Sequence, residues 1–463
     1  MNCVSGRGSA LALAVGIWWG STAAVASGQA TTRDQQVPPT QSAPSFTRDV
    51  APVLYKNCVS CHRPGEIGPM SFISYSDVRP WAKAIRERVA AGVMPPWFAD
   101  PHYGKFRNDR RLSQKDIDTI VAWVNAGARQ GNPADLPPVP AFPDGWQIGT
   151  PDVVLAMQTE YQIPTDGTIE YQYFEVPTHF KEDKWIQAAE VRVGDREHVH
   201  HSIVSVIEPE RSTRPEVIEL RAIGADGRTL PAWQPPRQLT DEQRAQFARL
   251  SRLAGATMLL NYAVGEDAPQ YPKGMAKRIP AGSTIVFQMH YTTNGAPGKD
   301  RTRIGLIFAK EPPAKEIRTG MVPNAQFTIP PGDGSHQVEA EATFTDDVKV
   351  YTMHPHMHLR GKDMTYTATY PDGRSEILLR VPRFDFGWQS DYWLAEPIAL
   401  PKGSTLHVTA HFDNSTANPN NPDPKATVRW GDQTWEEMMI GFFTYTVEGR
   451  ASAAPTGKPG KQQ

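Results

Sequence analysis

Residues 348–358 read VKVYTMHPHMH, a β-branched and aromatic run leading straight into three histidines at alternate positions. Val348 to Met353 has the composition of a strand. If the backbone stays extended, His354, His356 and His358 share one face at about 6.5 Å spacing. The same period-two pattern recurs at 171–176, 283–291, 303–308, 405–412 and 439–447, between Gly, Pro, Asn and Asp turns. From about residue 150 onward the chain therefore reads as antiparallel sandwiches. One stretch departs from this pattern. Thr240-Asp241-Glu242-Gln243 followed by Phe247, Leu250 and Leu253 predicts an inserted helix within 239–260.

Upstream the period changes. Ser76 to Ala91 puts Val78, Trp81, Ile85 and Val89 on one stripe. Ser113 to Ala126 opens with Ser113 and Asp116 in capping-box spacing, carries Ile117, Ile120, Val121 and Val124 on one face, and stops before Gly127. Prolines at 133, 137, 138, 140 and 143 mark a boundary. The expected fold class is a multidomain chain: a small all-α cytochrome c-like domain followed by two antiparallel β-sandwich (jelly-roll-like) domains. The expected divisions are a signal peptide at 1–26, a linker at 27–44, the haem domain at 45–131 and a Pro-rich linker at 132–149. The sandwiches follow at 150–312 and 313–450, then a disordered tail at 451–463.

The leader reading rests on Arg7, the apolar run from Ala10 to Trp19, and the small-residue pattern Ala24-Val25-Ala26. The run is short for a bilayer span. A secreted or periplasmic protein with no membrane span after signal cleavage is the expectation. Across 463 residues, 48 Lys and Arg nearly balance 50 Asp and Glu, which gives no reason to expect nucleic acid as a partner. The 42 prolines argue against a long all-helical protein. There are only three cysteines, at positions 3, 58 and 61, so a disulfide scaffold and a Cys-rich zinc module are excluded.

Cys58-Val59-Ser60-Cys61-His62 is the c-type haem attachment pattern. Two thiols one helical turn apart can bond one porphyrin, and His62 follows directly to reach the iron. Met94, in Gly92-Val93-Met94-Pro95-Pro96-Trp97, is the candidate for the opposite iron position, ahead of Met70 and His102. The segment from Phe46 to Gly131 resembles class I cytochrome c domains in motif order.

Histidines concentrate after this segment, at 198, 200, 201, 290, 354, 356 and 358. No cysteine accompanies them, so a transition metal there must use imidazole, thioether or carboxylate. On a strand His198 and His200 share a face, whereas adjacent His200 and His201 do so only at a strand end or bulge. Geometry alone leaves both pairs open. His290 lies in a strand and is a possible third ligand. Met438 precedes another strand and offers a thioether. Clustered neutral imidazoles repel on protonation and leave unpaired donors when buried. A metal removes both penalties. A blue-copper centre is excluded for want of a cysteine, and a thioether beside imidazoles favours redox copper.

At these residues the sequence resembles the copper type II, ascorbate-dependent monooxygenases, which include the peptidylglycine α-hydroxylating and dopamine β-monooxygenases. His200-His201 in HHSIV and His290 in QMHY match the family's first copper site. His354-Pro355-His356, followed by His358-Leu359-Arg360-Gly361-Lys362, resembles its second, and Met438 in EEM matches its acidic-Met segment. The resemblance covers about residues 150–447. It implies two copper ions and leaves His198 and His358 beside the ligands rather than among them. It also implies hydroxylation of a substrate C–H by O2 at the site of His354, His356 and Met438, with an electron stored at the three-histidine site. Electrons then come from an external donor, ascorbate or a redox protein, and the single covalently bound c-type haem is positioned to relay them. Thr352 stands where the peptide-hydroxylating branch has an Arg, and Phe442 where it has a Tyr. A peptide C-terminus or a catecholamine is thus unsupported, and the substrate is an unspecified small organic molecule. The alternative is a haem and copper electron-transfer or copper-binding protein without hydroxylase activity.

Overall fold

The stretch beginning at Val348 is a strand, Val348–His356, and it is buried along almost its whole length. In the computed structural model the described residues are 43–66, 68–142, 145–209, 217–231, 256–263 and 268–449. The expected leader, all but the last two residues of the first linker, and the tail lie outside them. So does the expected insertion helix as far as residue 255; beyond that the chain is strand (Thr257–Ala263), not helix.

Four larger sheets organise the β portion. Val153–Ala156, Arg303–Phe308, Lys184–Arg192, Met275–Ile279 and Lys315–Glu316 form the first; only its last pair is parallel. Gln172–Pro177, Thr284–Tyr291, Val199–Ile207 and Thr257–Ala263 form the second, antiparallel throughout. These two close over one core around Ile186, Val204, Ile285, Phe287, Ile304 and Leu306. The third contains Arg318–Pro323, Ile440–Val447, Val348–His356 and Tyr392–Leu400. The fourth contains Ser375–Val381, Gly361–Thr369, Thr405–Phe412, His336–Phe344 and Ile218–Ile223. A larger core built on Val350, Met364, Tyr366, Val408 and Phe443 lies between the third and fourth. Val and Ile at alternate positions supply the inward side chains, as burial of β-branched residues on a pleated surface requires.

The helices are short. The longest are Gln114–Asn125, Ala82–Ala90 and Ala51–Asn57. Ser113 caps the first of these by accepting from the Asp116 N–H, as its spacing predicts. Their apolar faces meet around Phe46, Leu54, Ile85, Ile120 and Trp123. Between Ala82–Ala90 and Gln114–Asn125, however, the chain leaves this small core. Trp97, Phe98 and Ala99 are buried in the large core between the third and fourth sheets.

The expected fold class is therefore corrected. The described residues are mostly β, and among them no sizeable all-α cytochrome c-like domain stands ahead of separate sandwiches. From Ala43 onward it forms one compact unit. The physical reason lies in 97–108, which has no helical period and buries Trp97, Phe98 and Ala99, with Phe106 packed alongside, in the large β core. Among the described residues no helix is long and apolar enough to cross a membrane.

Candidate metal centre

Bulges build the first histidine set. In the strand Val199–Ile207 the register with Thr284–Tyr291 shifts between Val199 and His201. The extra residue lets adjacent His200 and His201 project to the same side, opposite His290, which pairs directly with His201. Their Nδ1 atoms converge: His200 to His201 at 3.1 Å, and His290 to His200 at 3.2 Å. The candidate ligand atoms of all three lie within 4.8 Å of one another. Burial, with the neighbouring imidazoles, lowers His201 well below the ordinary histidine range and His290 to about 3; burial also lowers His200. All three are neutral at pH 7 and have lone pairs to offer. His201 Nε2 lies 3.3 Å from the Tyr171 hydroxyl. With Nε2–H donating to that oxygen, Nδ1 keeps the lone pair.

His198 does not belong to the set. Its Nδ1 lies 2.8 Å from Asp195 Oδ2, and its Nε2 lies 2.9 Å from Asn294 Oδ1 and 3.2 Å from the Ala296 carbonyl. Both nitrogens face acceptors, an arrangement that favours the doubly protonated ring. Burial disfavours that charge, but the Asp195 carboxylate outweighs it and raises the imidazole above its usual range.

A second bulge sets the other histidines. Register shifts between Val350 and Thr352 in the strand Val348–His356. Val348 and Val350 face the large core before the shift, and Met353 and Met357 face it after. His354 and His356 consequently point the other way, with ring centres 5.9 and 6.0 Å from that of Phe442. His356 Nδ1–H donates to Gln389 Oε1 at 2.6 Å and His358 Nδ1–H to the Glu436 carbonyl at 3.3 Å, leaving each Nε2 as the potential ligand. His354 Nδ1 lies 3.1 Å from Asp391 Oδ1 but not in line for a hydrogen bond. Met438 is buried with Met258, Ile440 and Phe442, and it is Phe442 of that cluster whose ring lies beside His354 and His356. Glu437 fastens the turn between them, its carboxylate accepting from the N–H groups of His358 at 2.8 Å and Arg360 at 2.6 Å.

The two sets are not remote. Phe386 stands 5.8, 5.7, 5.3 and 6.1 Å, centre to centre, from His200, His201, His290 and His358. Tyr171 also approaches His201, His290 and His358. Two imidazole groups expected in separate pockets thus share two aromatic walls. Among the described residues, the triad is the group of three or more His, Cys, Asp or Glu side chains close enough to hold one ion.

At the Cys58–His62 motif the chain turns back on itself after the helix Ala51–Asn57. The His62 N–H donates to the Cys58 carbonyl at 2.9 Å. His62 Nδ1–H donates to the Met70 carbonyl at 3.2 Å, and its ring stacks on Phe72 at 4.3 Å. Nε2 is left for an iron ligand, and both cysteines are free. This placement puts the Met70 backbone on the side of the ring away from Nε2. Met94 lies in the turn after Ala82–Ala90 and has no hydrogen bond to His62; its own N–H reaches the Arg88 carbonyl at 3.4 Å. His102 is exposed and paired with Asp100.

Sequence reasoning missed Tyr171, Phe386, Gln389 and Asp391. Each meets its histidines only across long chain separations, and no local motif announces any of them.

No protein-family model matches the chain, and no curated protein matches it. Among solved structures it is similar to the major capsid protein P2 of bacteriophage PM2, at 9% identity over 63% of this chain and 99% of that one, with a TM-score of 0.23. Allantoicase from Saccharomyces cerevisiae matches at 8% identity over 62% and 80%, TM-score 0.17. A fucolectin from striped bass, Morone saxatilis, matches at 7% over 62% and 85%, TM-score 0.16. At such scores the likeness carries no statement about this chain's chemistry.

Proposed function

We propose that this chain is an exported copper-dependent monooxygenase that hydroxylates a C–H bond of a small organic substrate with O2. One observation carries the reading: three neutral imidazoles present their Nδ1 atoms to a common point, at 3.1 and 3.2 Å. With a proton on His200 Nδ1 these contacts are N–H···N hydrogen bonds; with every proton on Nε2 the three lone pairs converge on a point that a cation would occupy. With no thiolate in the set, the donors suit copper. His200, His201 and His290 would hold one copper ion; His354, His356 and Met438 would hold the other. Copper supplies the redox chemistry with O2. The chain's own residues orient the ligands: the Tyr171 hydroxyl holds His201, Gln389 holds His356, and Phe386 and Phe442 exclude water. Cys58, Cys61 and His62 would carry the c-type haem that relays electrons from ascorbate or a redox protein.

A second reading, a haem and copper electron-transfer protein without hydroxylase activity, draws on the space beside His354. That cavity, bounded by Lys277, Thr352, Asp391 and Trp393, measures about 20 Å³, room for one water.

Metal analysis, an optical spectrum and a melting curve test both readings. Two coppers and one c-type haem per chain are expected. Copper at about a hundred times its Kd should stabilise the fold by about 2.7 kcal/mol. His290→Ala should remove one copper equivalent and part of that shift. O2 uptake by the loaded protein with ascorbate separates oxygenase from electron carrier. A chain that binds no copper, or whose loading is indifferent to His290, refutes both.

A further inference from the structure

This inference rests on the histidine sets described above but concerns a residue outside them. After leaving the helical core, residues 97–108 run beside the strand Tyr392–Leu400. Phe106 bridges Leu394 in antiparallel sense. The Ala395 N–H donates to the Lys105 carbonyl at 2.7 Å and the Arg107 N–H to the Trp393 carbonyl at 2.9 Å. The Arg107 guanidinium lies 4.2 Å from the centre of the Trp393 ring. The ladder then ends in a side chain. Asn108 Nδ2 donates to the Asp391 carbonyl at 2.7 Å, and its Oδ1 accepts from the Trp393 N–H at 3.0 Å. One carboxamide thus grips the backbone on both sides of Tyr392.

What it grips is the end of the loop that serves the histidines. Phe386 walls the triad, Gln389 holds His356, and Asp391 places its carboxylate beside His354. His354 Nδ1 is buried without a hydrogen-bond partner, and the Asp391 carboxylate packs against it at 3.1 Å. A shift of Asp391 therefore changes what that nitrogen packs against. At the other end of the same helical segment, Glu66 pairs with Arg63 and with Arg196, just ahead of the triad strand.

We propose that Asn108 is a positioning residue for His354, acting through Asp391. The geometry of the second histidine set then depends on the seating of the segment that carries Cys58-Val59-Ser60-Cys61-His62.

The test uses the full, metal-free chain with 15N-labelled histidine, reading imidazole nitrogen resonances assigned with His354→Gln. Asn108→Asp keeps the acceptor for the Trp393 N–H and removes the donor to Asp391. Asn108→Ala removes both and gives the same reading should the aspartate variant not fold. Arg107→Ala, which loosens the packing on Trp393 but leaves the Asp391 bond, is the control. Both Asn108 variants are expected to move the His354 resonances and leave those of His200, His201 and His290 in place; the control should move none. On copper titration the second equivalent should weaken about tenfold and the first should not. An unmoved His354 in the Asn108 variants, or an equal shift in Arg107→Ala, overturns the proposal. If the chain binds no copper, the function above fails, but the imidazole spectra still decide this inference.

Discussion

Single atoms decide how the histidines are used. His198 and His200 stand two residues apart with the same side chain, yet one has both nitrogens bonded to acceptors and the other turns Nδ1 to its neighbours. The triad members were legible through the family resemblance, since strand spacing alone left the His198–His200 and His200–His201 pairs both open. Which nitrogen each would use was not legible, since that depends on Asp195 close by and on Tyr171 and Asn294, which lie 30 and 96 positions from their histidines. The Cys58–His62 motif was read from spacing alone, but the seat of its imidazole depends on Gly68. A Cβ there would lie 2.6 Å from His62 Nδ1 and 2.7 Å from the Cys61 carbonyl. Gly68→Ala should therefore push His62 off the Met70 carbonyl. We expect covalent haem per chain to fall about tenfold, measured as haemochrome against total protein. Full haem loading in that variant would show that this hydrogen bond does not matter.

At the level of elements, two β-bulges do most of the arranging. Without the shift after Val350, strict alternation would turn His354 and His356 into the large apolar core, where unpaired imidazoles are costly. Period-two reasoning found the strands because side-chain alternation is written locally. The bulges escaped it, because one extra residue leaves composition unchanged and is fixed only by the partner strand. A second tie between elements has a measurable titration. Lys277 is buried, and its Nζ donates to the Met258 carbonyl at 3.1 Å, the Leu259 carbonyl at 2.7 Å and Thr319 Oγ1 at 2.7 Å, joining the strands Thr257–Ala263 and Arg318–Pro323. Burial lowers its amine from 10.5 to about 7. The unfolded chain then binds one more proton than the folded chain across that window. Stability attributable to this group should thus rise as pH increases from about 7 to 10.5. Denaturant unfolding at pH 7.5 and 9.5 should show that increment in the parent chain and not in Lys277→Met. Equal pH dependence in the two would mean the amine stays charged on its three acceptors.

Over the whole molecule, the helical segment belongs to the β structure it touches. Trp97 and Phe98 are buried in the large core, and Trp97 and Phe106 pack edge-on against Tyr392 at 4.8 and 5.6 Å. Each such aromatic contributes about 1.5–3 kcal/mol through burial. A chain starting at Asn132 should therefore melt well below the full protein or aggregate through the uncovered Tyr392 and Leu394. Calorimetry decides this, and an unchanged melting temperature would restore the picture of a detachable N-terminal module. The proline-rich boundary at 133–143 was legible as a break in composition, but it is not a break in packing. A stretch without helical or strand period gives no hint of which core will take it.

The bond from Asn108 to Asp391 spans 283 positions. During synthesis the two cysteines emerge early, whereas the strands that trap their segment are made among the last. Closure of so distant a contact comes late in assembly. The stretch from Lys105 to Asn108 thus waits, through most of the chain's production, for the strand that seats it.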